Sequence, residues 1–550
     1  MPNSPHPILS IPDILEKIFS QFTEVKRWEA SLPPLDVLGL ANQVKSVDRK
    51  SLACCARVCK AWSPSALDVL WAALPKGIYP LLRLFSCYDP RRGLNAMDVR
   101  IPELEWRRFQ QYAIRVKTIA YAAQYEVDDC QLIGAPGRKL DPASRLLTQL
   151  LKISQDQPLL PNIRILHWTS SMVPYRQLAL RALVGPCLLA FYVDARGQGD
   201  GTVGIEHDLN TLRFACPILE HLRITGESSL AFGISCDFAN LRSAAFQRVD
   251  VAFVLPTISQ LPCLEIIYLD LRRITGHLAS KLASNAFPAL RELTLQGRAF
   301  EVRTLLRRVV SKHLSFLKLD LISEVPSDVL RCMEALPSLP WANSLKTLRL
   351  FLRKAGGGAA VKFSDLLALL SLSHLEDVSL DLVETAVSDR DIGSIQSGWP
   401  LLKCLRIHSK QSADSESEDE LAIVGGPHSL LPSLLSVVKL AIKKPTLKRI
   451  AVMAASVSRD ERREIESLAQ SAVPQTNLVA FNCLSTRYIQ LEAALRRLFP
   501  KAAVDLFEEK GETTKRERMR RKWDSSKVPR NWTTDLNALQ VLGFPRPPGP

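Results

Sequence analysis

From Val116 to Cys483 the chain keeps restarting one short apolar phrase: an aliphatic residue, any two residues, a second apolar residue, any one residue, and a third apolar residue. Clear copies start at Val116, Ile163, Leu188, Leu219, Leu264, Leu290, Leu314, Leu345, Leu375 and Leu402, and weaker ones at Leu241, Leu447 and Leu478. Ile163-Arg-Ile-Leu166-His-Trp168 and Leu345-Lys-Thr-Leu348-Arg-Leu350 show the pattern. Most neighbouring copies begin roughly 22 to 31 residues apart, room for one short strand and a returning helix or loop. A unit that small cannot bury its apolar face alone and must stack on its neighbours, which predicts an α/β solenoid with a curved parallel sheet on one face. Pro161, Pro217, Pro262, Pro288, Pro400 and Pro445 each stand two residues before a first apolar position. A missing amide is tolerated at a strand's start, so the prolines mark strand entrances.

Residue types and order in these copies resemble the irregular leucine-rich repeat family, over roughly two thirds of the chain. With the second and third apolar positions turned into the core, the residue between them is expected to face out on the concave sheet. That column reads His167, Tyr192, Arg223, Ala245, Tyr268, Thr294, Lys318, Arg349, Ser379, Arg406, Ala451 and Asn482. Basic and aromatic side chains recur in it, the types in which binding energy concentrates. His167, Tyr192, Arg223, Tyr268, Lys318, Arg349 and Arg406 are therefore candidate substrate-binding residues, with an acidic or phosphorylated segment of another protein expected across the four cations. Solvated charges on exposed strands are the plainer alternative.

The first 75 residues read differently. Pro12 suits a first helical turn, with Ser10 and Asp13 as a capping-box-like start. Ile11, Ile14, Leu15, Ile18, Phe19 and Phe22 then form one apolar stripe. Leu52, Cys55, Val58, Cys59 and Trp62 form a second, stopped by Pro64, and Leu67, Leu70 and Trp71 a third. Three short amphipathic helices need each other and a partner. Ile11-Pro12-Asp13-Ile14-Leu15 with Ile18-Phe19, Leu52 with Val58-Cys59-Lys60-Ala61-Trp62, and Leu70-Trp71 together resemble the F-box family. The resemblance implies that Ile11, Pro12, Ile14, Leu15, Ile18, Phe19, Leu52, Val58, Cys59, Trp62, Leu70 and Trp71 bind a Skp-type adaptor, and through it a cullin, while the repeats bind a protein substrate. An insert at about 23–50 departs from that family's short connection and bears on docking geometry. A solenoid cap is the rival reading.

The organisation expected is an F-box-like module over 1–75, a solenoid over 76–500, an acidic disordered loop over 408–428 containing Ser409 to Glu420, and a basic, proline-rich tail over 501–550. Gly356 to Gly358 mark a further loop. Net charge is +15, much of it between Lys510 and Arg530. The lack of an aromatic ladder there disfavours nucleic acid, which stays as an alternative alongside a scaffold without ligase role.

No apolar run is long enough to cross a membrane, and the start of the chain lacks a secretory pattern, so a cytoplasmic or nuclear location is expected. Cys216, Cys236, Cys263 and Cys404 read as reduced core thiols rather than metal ligands. Gly199-Asp200-Gly201-Thr202-Val203-Gly204 matches a dinucleotide fingerprint, but the weak amphipathic pattern after it favours a polar loop. No nucleophile-and-base constellation is visible among the nine histidines. The expectation is a non-enzyme without cofactor.

Overall fold

The computed structural model describes residues 11–20, 46–74, 77–88, 100–121, 142–169, 176–194, 202–226, 238–274 except 253, 282–323 except 284, 325–354, 361–383 except 362, 387–410, 431–453, 457–484 and 491–507. Most of the expected 23–50 insert, the glycine loop, the acidic stretch beyond Lys410 and the basic tail lie outside the described residues. The chain divides into two compact units, meeting in sequence between Val249 and Asp250.

The first unit opens with helices α1 (Pro12–Ser20), α2 (Ser46–Val58) and α3 (Ser63–Trp71). Strands β1 (Ala73–Leu74), β2 (Thr118–Tyr121), β3 (Ile165–Thr169), β4 (Ala190–Asp194), β5 (His221–Thr225) and β6 (Ser243–Gln247) follow. Each pairs parallel with the next. The register is the phrase itself: Leu74, Ile119, Leu166, Phe191, Leu222 and Ala244 lie opposite one another in turn. Helices at Glu103–Ala113, Pro142–Ile153, Arg176–Leu183 and Thr202–Ala215 return the chain between strands.

The second unit repeats the plan through β7 (Ile266–Asp270), β8 (Glu292–Arg298), β9 (Phe316–Ser323), β10 (Thr347–Lys354), β11 (Asp377–Val383), β12 (Cys404–Lys410), β13 (Arg449–Met453), β14 (Ala480–Leu484) and β15 (Ala503–Phe507). Ile267, Leu293, Leu317, Leu348, Val378, Leu405, Ile450, Phe481 and Val504 line up across it. Helices cross over after β8, β9, β11, β12, β13 and β14, and a 3-10 segment at Phe363–Ser371 after β10. Both units are stacked α/β bodies whose parallel strands pair in chain order.

Backbone hydrogen bonds tie each copy to the one before. The carbonyl of the phrase's second residue accepts the first two amides entering the next strand, as Lys117 does from Arg164 and Ile165, and Glu265 from Arg291 and Glu292. The residue just before the phrase adds a side-chain tie. Asn162 donates to Ile114 O, Asn240 to Pro217 O, Ser344 to Leu314 O, Thr446 to Leu402 O and Asn477 to Pro445 O. Donors are thus satisfied where the strands begin, and Leu166, Phe191, Leu293, Leu348 and Phe481 fill the core.

Several expectations need correction. Strands reach from Ala73 to Phe507, so the repeats overrun the expected 76–500 limits at both ends. Pro64 does not stop α2, which ends at Val58; it sits in the first turn of α3, where no intrahelical amide bond is lost. Trp62 is accordingly the residue before α3 rather than part of α2. A helix does open at Thr202, inside the glycine-rich stretch read as a loop, because Leu209 and Leu212 give it a buried face. Among the described residues, the strands on either side of that stretch pair in chain order without reversal, so they form no switch-point crevice for a dinucleotide. Cys263 is exposed rather than a core thiol, whereas Cys216 is buried.

Candidate functional site

The helical module closes on Leu15 and Phe19 of α1, Leu52 of α2 and Ala66 of α3, with Cys55, Trp62 and Leu70 packed around them. Trp62 meets Phe19 edge-on at 5.7 Å. Of the expected adaptor-binding residues, Leu15, Phe19 and Leu52 are thus spent on the module's own core. Ile14, Cys59, Trp62, Leu70 and Trp71 are half-buried, and Pro12 begins α1. Ile11, Ile18 and Val58 keep 43%, 41% and 63% of their surface exposed.

Helix α3 is fastened to the first repeat. Trp71 packs on Tyr112 at 4.7 Å between ring centres. Arg115 pairs with Asp68 and donates to Pro64 O at 3.1 Å, and Arg49 of α2 donates to Ala73 O in β1.

On the sheet face of the first unit, His167, Tyr192 and Arg223 stand side by side on β3, β4 and β5. They are not the exposed column expected from the pattern: 5%, 5% and 6% of their surface remains. Parallel strands lie about 4.8 Å apart, closer than these side chains are wide, so each covers its neighbour. The His167 and Tyr192 rings stack at 4.6 Å and 13°, and Arg223 donates to Gln247 Oε1 at 2.9 Å. Burial, with the Arg223 charge beside it, holds the His167 pKa at about 3, and burial pushes Tyr192 up to about 12. Both rings are neutral at physiological pH.

The second unit carries the rest of the column. Arg349 is buried, and Tyr268, Lys318 and Arg406 are half-buried. Lys318 Nζ sits 5.0 Å above the Phe351 ring and the Arg349 guanidinium 5.2 Å from Phe316. Two residues along each strand runs a second row, which reading one column of the phrase overlooks: Asp270, Gln296, Asp320, Phe351, Asp381 and His408. This row knits the face together. Tyr268 donates to Gln296 at 2.9 Å, Gln296 to Asp320 at 3.0 Å, Arg353 to Asp320 at 2.8 Å, and Arg272 to Asp270 at 2.6 and 2.8 Å. Burial raises the Asp320 pKa while Arg353 opposes it. The face is a mixed-charge lattice rather than a plain basic stripe. A glance two residues downstream of each middle position would have found it.

Among the described residues, no group of three or more histidine, cysteine, aspartate or glutamate side chains is placed to hold a metal ion, and no helix is long and apolar enough to cross a membrane.

No protein-family profile matches this chain, and no curated protein matches it. Solved structures are similar to it, two of them as follows. One is the crystal structure of a TLR13–ssRNA13 complex, at 12% identity and a TM-score of 0.34 over 72% of this chain and 58% of that one. The other is the Leptospira interrogans leucine-rich-repeat protein LIC12759, at 12% identity and a TM-score of 0.28 over 72% of this chain and 98% of that one. The chain thus spans under two thirds of the first of these.

Proposed function

We propose that this chain is the substrate receptor of a cullin-based ubiquitin ligase, whose helical module docks on a Skp-type adaptor while the repeats hold a protein substrate and other subunits perform catalysis. The observation that carries the reading is the module's split apolar surface: Leu15, Phe19 and Leu52 close its core, while Ile11, Ile18 and Val58 stay exposed. Exposed apolar side chains on so small a helical body suit a surface that a partner covers. A cap for the first repeat, the rival reading, accounts for α3 with Trp71 on Tyr112, but not for the exposed Ile11 and Ile18. Nucleic-acid binding by the sheet face of the second unit is disfavoured because Arg272 and Arg353 are ion-paired with Asp270 and Asp320.

Deleting 1–75 would also remove β1 from its pairing with β2, so point substitutions give the cleaner test. The full chain is mixed with purified Skp-type adaptor and compared with a double Ile11→Asp, Ile18→Asp variant. Complex formation should disappear in the variant with little change in unfolding temperature. If the unaltered chain forms no complex, the ligase reading fails and the scaffold reading stands.

A further inference from the structure

We propose that the sheet face over β3, β4 and β5 is an oxyanion site, in which the Tyr192 hydroxyl and His167 Nε2, beside the Arg223 charge, hold a phosphate or carboxylate group. The proposal treats the repeats as the binding part of the chain but does not depend on the ligase reading.

The Tyr192 hydroxyl oxygen and His167 Nε2 are buried and have no hydrogen-bond partner among the described residues. Buried polar atoms are almost always paired, so two orphans on adjoining strands call for an account. They stand on side chains in paired register whose rings stack at 4.6 Å. Both can donate: the phenol through its O–H and the imidazole when its proton sits on Nε2. The adjacent Arg223 favours a negative guest, since its positive charge bears on both rings. Two residues away on these strands lie Asp194, a half-buried carboxylate, and His221, whose pKa burial lowers. An oxyanion accepts from both orphan donors at once, which a cation cannot do.

The source is either a modified or acidic side chain of a bound segment or a free phosphate compound. Titration calorimetry on the full chain separates these with three probes: inorganic phosphate, N-acetyl-O-phosphoserine amide and N-acetylglutamate amide. At least one should bind saturably, with an amino-acid probe outranking inorganic phosphate if a segment is the guest and the reverse if a small molecule is. Tyr192→Phe should weaken the best probe roughly tenfold, the worth of a hydrogen bond to a charged group. Its unfolding temperature should hold, because the hydroxyl has no partner to lose. Absence of saturable binding by every probe, unchanged affinity in Tyr192→Phe, or a marked loss of stability in that variant would each overturn the proposal. The last two outcomes would mean that buried water or the chain itself already serves the hydroxyl.

Discussion

Acidification should weaken the first unit through one ring, His167. Its pKa falls from 6.5 in the unfolded chain to about 3 in the fold, because burial and the neighbouring Arg223 oppose its charged form. The unfolded chain therefore takes up a proton that the folded one refuses. Stability from this group is complete above pH 6.5 and is lost as pH falls towards 3. At about 1.36 kcal/mol per unit, the loss between pH 7.5 and pH 5 is about 2 kcal/mol. The ring is almost fully buried, so solvent screening does not erode the figure. His167→Phe provides the comparison, since it keeps an aromatic ring against Tyr192 and removes the titration. Equilibrium urea unfolding at pH 7.5 and pH 5 should show the unaltered chain losing about 2 kcal/mol more than the variant, a midpoint shift of roughly 1 M at ordinary denaturant sensitivities. His221, also lowered by burial, titrates in both proteins and cancels. Equal pH dependence in the two would refute the reasoning.

In the second unit the sign is opposite at Asp320, whose raised pKa makes the fold gain stability as pH falls through that pKa. Arg353→Leu should lower stability at pH 7 and enlarge the gain on acidification, read by the same urea titration. Gly398→Ala should cost about 1–3 kcal/mol by overpacking, since its Cβ would lie 2.7 Å from Leu370 Cβ and 3.2 Å from that residue's Cα; thermal unfolding measures it. A double Lys318→Glu, Arg349→Glu variant should lose cellular partners that bind through an acidic segment. The Lys318→Gln, Arg349→Gln pair controls for the lost ring contacts, and an unchanged partner set in the glutamate variant counts against an acidic guest.

The fold was legible wherever the phrase carries three apolar residues, because those residues take the core positions of successive strands, and Leu166, Phe191 and Leu222 pair as their spacing requires. It failed at the ends. At β15 the position before Val504 that should be apolar is Lys501, and at β1 the phrase from Trp71 to Leu74 runs straight into Pro75, which has no amide to extend the ladder. The ties from Asn162, Ser344 and Thr446 leave no pattern in the sequence because three different residue types do one job. The burial of the sheet face is not legible because alternation tells which side of a strand a residue takes, not how far its neighbours across the ladder cover it. Nothing in a one-dimensional pattern says that His167 will lie flat on Tyr192.

Between the end of α3 at Trp71 and the start of β1 at Ala73 stands a single residue, Ala72. Arg115 grips Asp68 and Pro64 on one side of that junction, and Arg49 holds Ala73 on the other. A protein seated on the helices would have no slack tether to swing on. It would inherit the heading of β1 and β2, and whatever those first strands carry would be presented to it at one bearing.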